Sequence, residues 1–89
     1  MRITVIRSGG FAGITRRAEL DTTDRPDARH VEALAHQALE TDQGAAPRGV
    51  PDGFRYEITV DGSRTAHCAD PHLSDAQREL VRTVLKEGA

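Results

Sequence analysis

The chain predicts an α+β fold of order ββαββα, a four-stranded antiparallel sheet with two helices packed on one face. Three observations carry that prediction. Four short runs alternate apolar and polar residues at a period of two. Two longer runs repeat apolar residues at three- and four-residue steps. The alternating runs come in adjacent pairs, each followed by a helical run, an order that suits an antiparallel sheet with helices on its apolar side. At 89 residues, 37% of them hydrophobic, the chain suits one small domain spanning 1–89, below the size at which chains divide.

The first strand is Arg2 to Arg7, where Ile3 and Val5 share a face and β-branched content favours strand over so short a helix. The segment Arg7-Ser8-Gly9-Gly10-Phe11-Ala12-Gly13-Ile14 follows. Its three glycines reach positive φ cheaply and permit a tight connection. Phe11, one of three aromatic residues in the chain, is placed at its tip, where burial in the protein's own core is least expected. The second strand is read over Gly13 to Asp21, with Ile14, Arg16, Ala18 and Leu20 on one side. Arg16 breaks that apolar side, so this end of the strand is expected to be exposed.

Thr22 to Pro26 carries turn chemistry, with Thr22, Thr23 and Asp24 as candidate caps and Pro26 suited to a first helical turn. In the helix that follows, Ala28, Val31, Leu34, Ala35, Ala38 and Leu39 form one stripe ending near Asp42. Gly44, Pro47, Gly49, Pro51 and Gly53 then crowd into a stretch that neither helix nor strand accommodates, a second candidate functional loop. Phe54, Tyr56, Ile58 and Val60 alternate without a break against polar partners, the clearest strand in the chain. Asp61-Gly62 supplies the positive-φ pair of a tight hairpin into a weaker strand, Arg64 to Ala69. Ser74 with Gln77 three residues on marks a capping box before a stripe of Ala76, Leu80, Val81, Val84 and Leu85, and Gly88 ends this helix. If the helices pack back along the strands, the 8–13, 43–53 and 69–73 loops fall at one end of the sheet, and Asp61-Gly62 with Asp21 to Pro26 at the other.

Composition narrows the function. A formal net charge of −2 and a pI near 6.0 give no global reason to expect nucleic acid or an anionic membrane as partner. No apolar leader and no 18-residue hydrophobic span is present, which points to a cytoplasmic protein outside the membrane. The single cysteine, Cys68, excludes an internal disulfide framework. His67, Cys68 and His72 match no standard zinc spacing, and neighbours on a strand face opposite ways, so a buried Cys68 and a solvated His67 are expected. His30 and His36 are well separated around their helix. The glycine loop has neither dinucleotide nor P-loop spacing and leads into a strand, which argues against a phosphate cradle. No triad or carboxylate pair is evident, so the chain is read as a non-enzyme without a cofactor.

The segment "MRITVIRSGGFAGITRRAELD", with "PDGFRYEITVDG" and a terminal amphipathic helix, resembles the emfourin family. These are small bacterial inhibitors of protealysin-like, thermolysin-type zinc metalloproteases. The "SGGFAG" loop and "PDGFRY" are the most specific parts of a resemblance that covers nearly the whole chain. It implies a protein that blocks the active-site cleft of a cognate protease, with Ser8, Gly9, Gly10, Phe11, Ala12, Gly13, Pro51, Asp52 and Asp70 in contact with it. A zinc protease keeps an open metal position that a carboxylate oxygen suits. Asp52 is the first choice for that oxygen and Asp70 the second, while Phe11 offers the bulky apolar side chain that the resemblance says such enzymes favour.

Plainer roles compete with these. Asp52, between Pro51 and Gly53, also suits a turn that starts the third strand. Phe11 would serve as well folded back over Phe54 or Tyr56, and Arg16-Arg17 is most simply a solvated strand end, with steering of an acidic protease the lesser alternative. A second function class stays open: a regulatory interaction module that pairs through a strand edge or the Phe11 loop with itself or another chain. Oligomeric state is open too, with a monomer expected.

Overall fold

A computed structural model describes residues 1–10, 13–42, 44 and 53–89 of the chain. The elements are β1 (Arg2–Gly9), β2 (Arg16–Asp21), α1 (Ala28–Glu40), β3 (Phe54–Val60), β4 (Arg64–Ala69) and α2 (Asp75–Glu87). The order is the ββαββα that the patterning predicts. The strands form one sheet in the order β2-β1-β3-β4 with every neighbouring pair antiparallel. β1 and β3 join the two hairpins, with Ile3 opposite Val60, Val5 opposite Ile58 and Gly9 opposite Phe54.

One face of the sheet is apolar because a period of two puts Ile3, Val5, Ala18, Leu20, Ile58, Val60, Ala66 and Cys68 on the same side, and all are buried. Both helices lie on that face. α1 packs against β3 and β4, α2 against β1 and β2, and the two helices against each other. Their stripes bury Val31, Leu34, Ala35, Ala38 and Leu39 from α1 and Leu80, Val81, Val84 and Leu85 from α2. The Cys68 thiol belongs to this core. Burial first, then the nearby charges of Asp70 and Asp42, push its pKa up to about 12, so it is a neutral, small apolar group at pH 7. His67 is half-buried rather than solvated. Its backbone N–H donates to Asp42 Oδ1 at 2.7 Å, and its ring lies 3.8 Å from Glu57 Oε1.

The turn chemistry comes out as read at two places. Asp61 and Gly62 have φ of 53° and 69°, the left-handed pair of a tight hairpin. Ser74 and Gln77 form a complete capping box: Ser74 Oγ accepts from Gln77 N at 3.1 Å and Gln77 Oε1 from Ser74 N at 2.9 Å.

Three further expectations are corrected. β2 begins at Arg16, not Gly13; Gly13 has φ of 65° and Ile14 is 67% exposed, so the glycine turn consumes residues that the alternation had assigned to the strand. β1 in turn runs on through Ser8 and Gly9, because Gly9 finds a ladder partner in Phe54. Finally, Thr22, Thr23 and Asp24 cap nothing. The N-cap of α1 is Asp27, without a side-chain cap bond, and Pro26 precedes it. Buried Thr22 instead ties the start of the chain to α1: its N–H donates to Met1 O at 2.9 Å and its hydroxyl to Glu32 Oε2 at 2.7 Å.

Candidate functional site

The end of the sheet where β1 stops and β3 starts collects the described parts of the candidate site. Gly9 and Gly10 have φ of 80° and 75°, a conformation that side chains with a Cβ resist. Gly10 N donates to Gly53 O at 3.1 Å, so the glycine loop is fastened to the residue that leads into β3. Space matters there as much as φ. A Cβ on Gly10 would stand 2.4 Å from the Phe54 ring, and one on Gly9 would stand 3.0 Å from Gly53 O.

Asp70 reaches the same rim from the end of β4. Its Oδ2 accepts from Phe54 N at 3.1 Å, and its own N–H donates to Phe54 O at 2.9 Å. One carboxylate oxygen is therefore committed to holding the start of β3, which gives Asp70 a structural task whatever else it does. Ser8 lies half-buried opposite Arg55. Gly13 N closes back on Gly10 O at 3.3 Å. Of the candidate residues, then, Ser8, Gly9, Gly10, Gly13 and Asp70 are described, and Gly9, Gly10 and Asp70 meet around Gly53 and Phe54. Phe11, Ala12, Pro51 and Asp52 lie outside the described residues.

Three residues of the rim were not among the candidates. Phe54 shares the phase of Tyr56, Ile58 and Val60 and so reads as interior, but it lies at the sheet's end and is only half-buried. Its ring tilts against Tyr56 at 6.3 Å between centroids. Arg7 places its guanidinium 4.4 Å from the Phe54 ring centroid, close enough for a cation–π contact. Its Nε is buried with no hydrogen-bond partner among the described residues. The signal for Arg7 was legible: it is a charged residue in the apolar phase of Ile3 and Val5. Ile14, the large exposed hydrophobic beside the glycines, had been hidden by its assignment to the strand.

The rim is thus a rigid ladder end bearing a glycine turn, an aromatic ring under a cation, and an exposed isoleucine. Among its described residues, Asp70 is the acid, with one oxygen engaged by Phe54 N–H, and the Ser8 hydroxyl has no histidine bonded to it that would make it a nucleophile. Among the described residues no group of three or more His, Cys, Asp or Glu is placed to hold a metal ion, and no helix is long and apolar enough to cross a membrane. Such a rim can present side chains to another protein.

Searches of curated proteins and of solved structures returned no match. A family model does match, over residues 5–85, and these residues include β2, α1, β3 and β4 entire, most of β1 and α2, and the described rim. The chain therefore belongs to the Emfourin family.

Proposed function

We propose that this protein inhibits a protealysin-like zinc metalloprotease of the thermolysin family by inserting its glycine rim into the active-site cleft. Family membership supports a metalloprotease-inhibitor role in general, and with it a protease as partner and a non-enzymatic chain. The observation that carries the finer reading is the fastening of Gly10 to Gly53. It sets Gly10, next in sequence to Phe11, beside Gly53, next in sequence to Asp52, which supports a reading in which an apolar and an acidic residue act from one rim.

Phe11 then fills an apolar pocket beside the scissile position, and Asp52 offers the oxygen that approaches the protease's zinc. Asp70 is the weaker candidate for that approach because Phe54 N–H already engages its carboxylate. The alternative route, self-pairing through a strand edge, meets edges that are in part occupied. Glu19 of β2 exchanges both backbone hydrogen bonds with Ala89, and on β4 the outward N–H of His67 is taken by Asp42.

Titration against a thermolysin-type protease tests the proposal. Phe11→Ala is expected to weaken inhibition by about 2–4 kcal/mol, the cost of truncating a central anchor, with the thermal midpoint unmoved. Asp52→Asn, nearly isosteric but uncharged, is expected to raise the inhibition constant by about tenfold or more, a loss of roughly 1.4 kcal/mol. Asp70→Asn should leave inhibition intact, since the amide oxygen still accepts from Phe54 N–H. Inhibition by the Phe11 variant equal to the parent's would remove Phe11 from the contact, and a loss confined to Asp70→Asn would exchange the roles of the two acids.

A further inference from the structure

Beside the rim, on the helix side of the sheet, lies a groove of about 490 Å³ between α2 and the ends of β1 and β2. Among the described residues its cations are Arg7, Arg16, Arg78, Arg82 and Lys86, and no acidic one lines it. In a chain of net charge −2, five positive groups around one concavity are a marked local concentration. Few of them are neutralised. Arg78 has an exposed ion pair with Asp75 at 3.6 Å, and Arg16 donates to the Leu85 carbonyl. Among the described residues Arg82 and Lys86 take part in no ion pair, and the buried Nε of Arg7 has no partner.

We infer that this groove receives an acidic polypeptide segment of the partner protease, an inference that rests on the function proposed above. The spacing favours a segment over a small anion. Arg78, Arg82 and Lys86 stand four residues apart along α2, a stripe of about 12 Å at 1.5 Å per residue. That is too long for one phosphate or carboxylate, and it matches three to four residues of extended chain at about 3.3 Å each. Leu73, Val81, Leu85 and the Tyr56 ring line the same groove and supply apolar surface for the stems of the incoming side chains, while guanidinium forks suit carboxylates. The groove and the rim share Arg7, whose guanidinium lies on Phe54. A protein seated on the rim therefore has a flank over the groove.

Two measurements test this, one of them without any protease. Amide spectra of the full chain are followed during titration with a penta-glutamate peptide and, separately, with inorganic phosphate at matched ionic strength. The peptide is expected to shift the α2 stripe together with Arg7 and Arg16 at a concentration at least tenfold lower than phosphate requires. The shifts should vanish in a variant carrying Arg78→Glu, Arg82→Glu and Lys86→Glu. Equal response to phosphate, or no response to the peptide, overturns the inference.

In the second measurement, the same variant should associate with a thermolysin-type protease at least tenfold more slowly at low salt, and with a flatter salt dependence than the parent. Arg29→Glu, exposed on α1 and outside the groove, serves as the control. If the triple reversal does not fold, the Arg78→Gln, Arg82→Gln, Lys86→Gln variant replaces it. Undiminished association of a folded variant overturns the groove alone; peptide binding by a parent that inhibits no such protease overturns the proposed function and leaves the groove as an acidic-segment site.

Discussion

Gly88 shows how one residue serves two elements. It closes α2, its N–H donating to Val84 O at 2.8 Å, yet its φ is −78°. The left-handed freedom for which helix-ending glycines are usually kept is not used. What is used is the missing side chain: a Cβ here would stand 2.6 Å from Val84 O and 2.7 Å from Glu19 O. Both obstacles are backbone atoms in regular structure and cannot swing aside. The same close approach lets Ala89 exchange its pair of hydrogen bonds with Glu19 at the edge of β2. Gly88→Ala should therefore cost about 1–3 kcal/mol in chemical denaturation, in the range of an overpacked site, and free the β2 edge as well. Stability equal to the parent's would mean that the helix end and strand can separate at no cost. The sequence marked Gly88 as a helix end, but the reason lies in a strand some 70 positions earlier, beyond the reach of a local pattern. Arg7 is the opposite case: its charge in an apolar phase was visible, and only its surroundings were not.

At the scale of elements, Gln77 is the joint between the two helices. Its local half was legible as a capping box, since Ser74 and Gln77 satisfy each other within four residues. Its other half is tertiary. The fully buried amide donates from Nε2 to Ala38 O at 3.1 Å and to Thr41 O at 3.2 Å. It thereby supplies donors to carbonyls at the C-terminal end of α1 that the helix itself leaves unpaired. Gln77→Ala leaves the Thr41 carbonyl and the Ser74 N–H without their partner, leaves the Ala38 carbonyl only the long bond from the Thr41 hydroxyl at 3.5 Å, and opens a space in the core. The expected cost is about 2–4 kcal/mol, from one to three per orphaned group with partial hydration. An exposed capping residue would cost roughly 1 kcal/mol. A loss no greater than that would show that water replaces the amide and that the helices do not depend on it. The same division explains the boundaries. Alternation located β3 and β4 to the residue, because their limits are set by their own side chains. β1 and β2 moved by two or three residues because ladder pairing to Phe54 and the positive φ of Gly13, neither of them a periodic signal, decide where those strands stop and start.

For the whole molecule, the arrangement separates a helix-covered core from the rim proposed above for recognition. The core is the sandwich of α1 and α2 on Ile3, Val5, Ile58, Cys68 and their neighbours, whereas the rim hangs from the ladder end by backbone hydrogen bonds at Gly10, Gly53 and Asp70. Fold class and the meeting of Gly10, Gly53 and Asp70 at one end of the sheet were legible because both follow from element order, while the rest of the 43–53 loop lies outside the described residues. Which side chains cluster at that end was not, because Phe54 and Arg7 meet across two strands. Leu80, fully buried in α2, tests the separation. Leu80→Ala should destabilise the domain by about 2–5 kcal/mol, a large part of the 5–15 kcal/mol typical of small domains. At temperatures where circular dichroism shows the variant fully folded, its inhibition constant against a thermolysin-type protease should equal the parent's. Near its own lowered midpoint, apparent affinity should fall only by the fraction still folded, since just that fraction is competent to bind. Phe11→Ala, by contrast, should be weakened at every temperature, in a molecule that melts where the parent does. If the fully folded Leu80 variant is itself a weak inhibitor, core packing sets the rim's geometry and the two parts cannot be treated as independent.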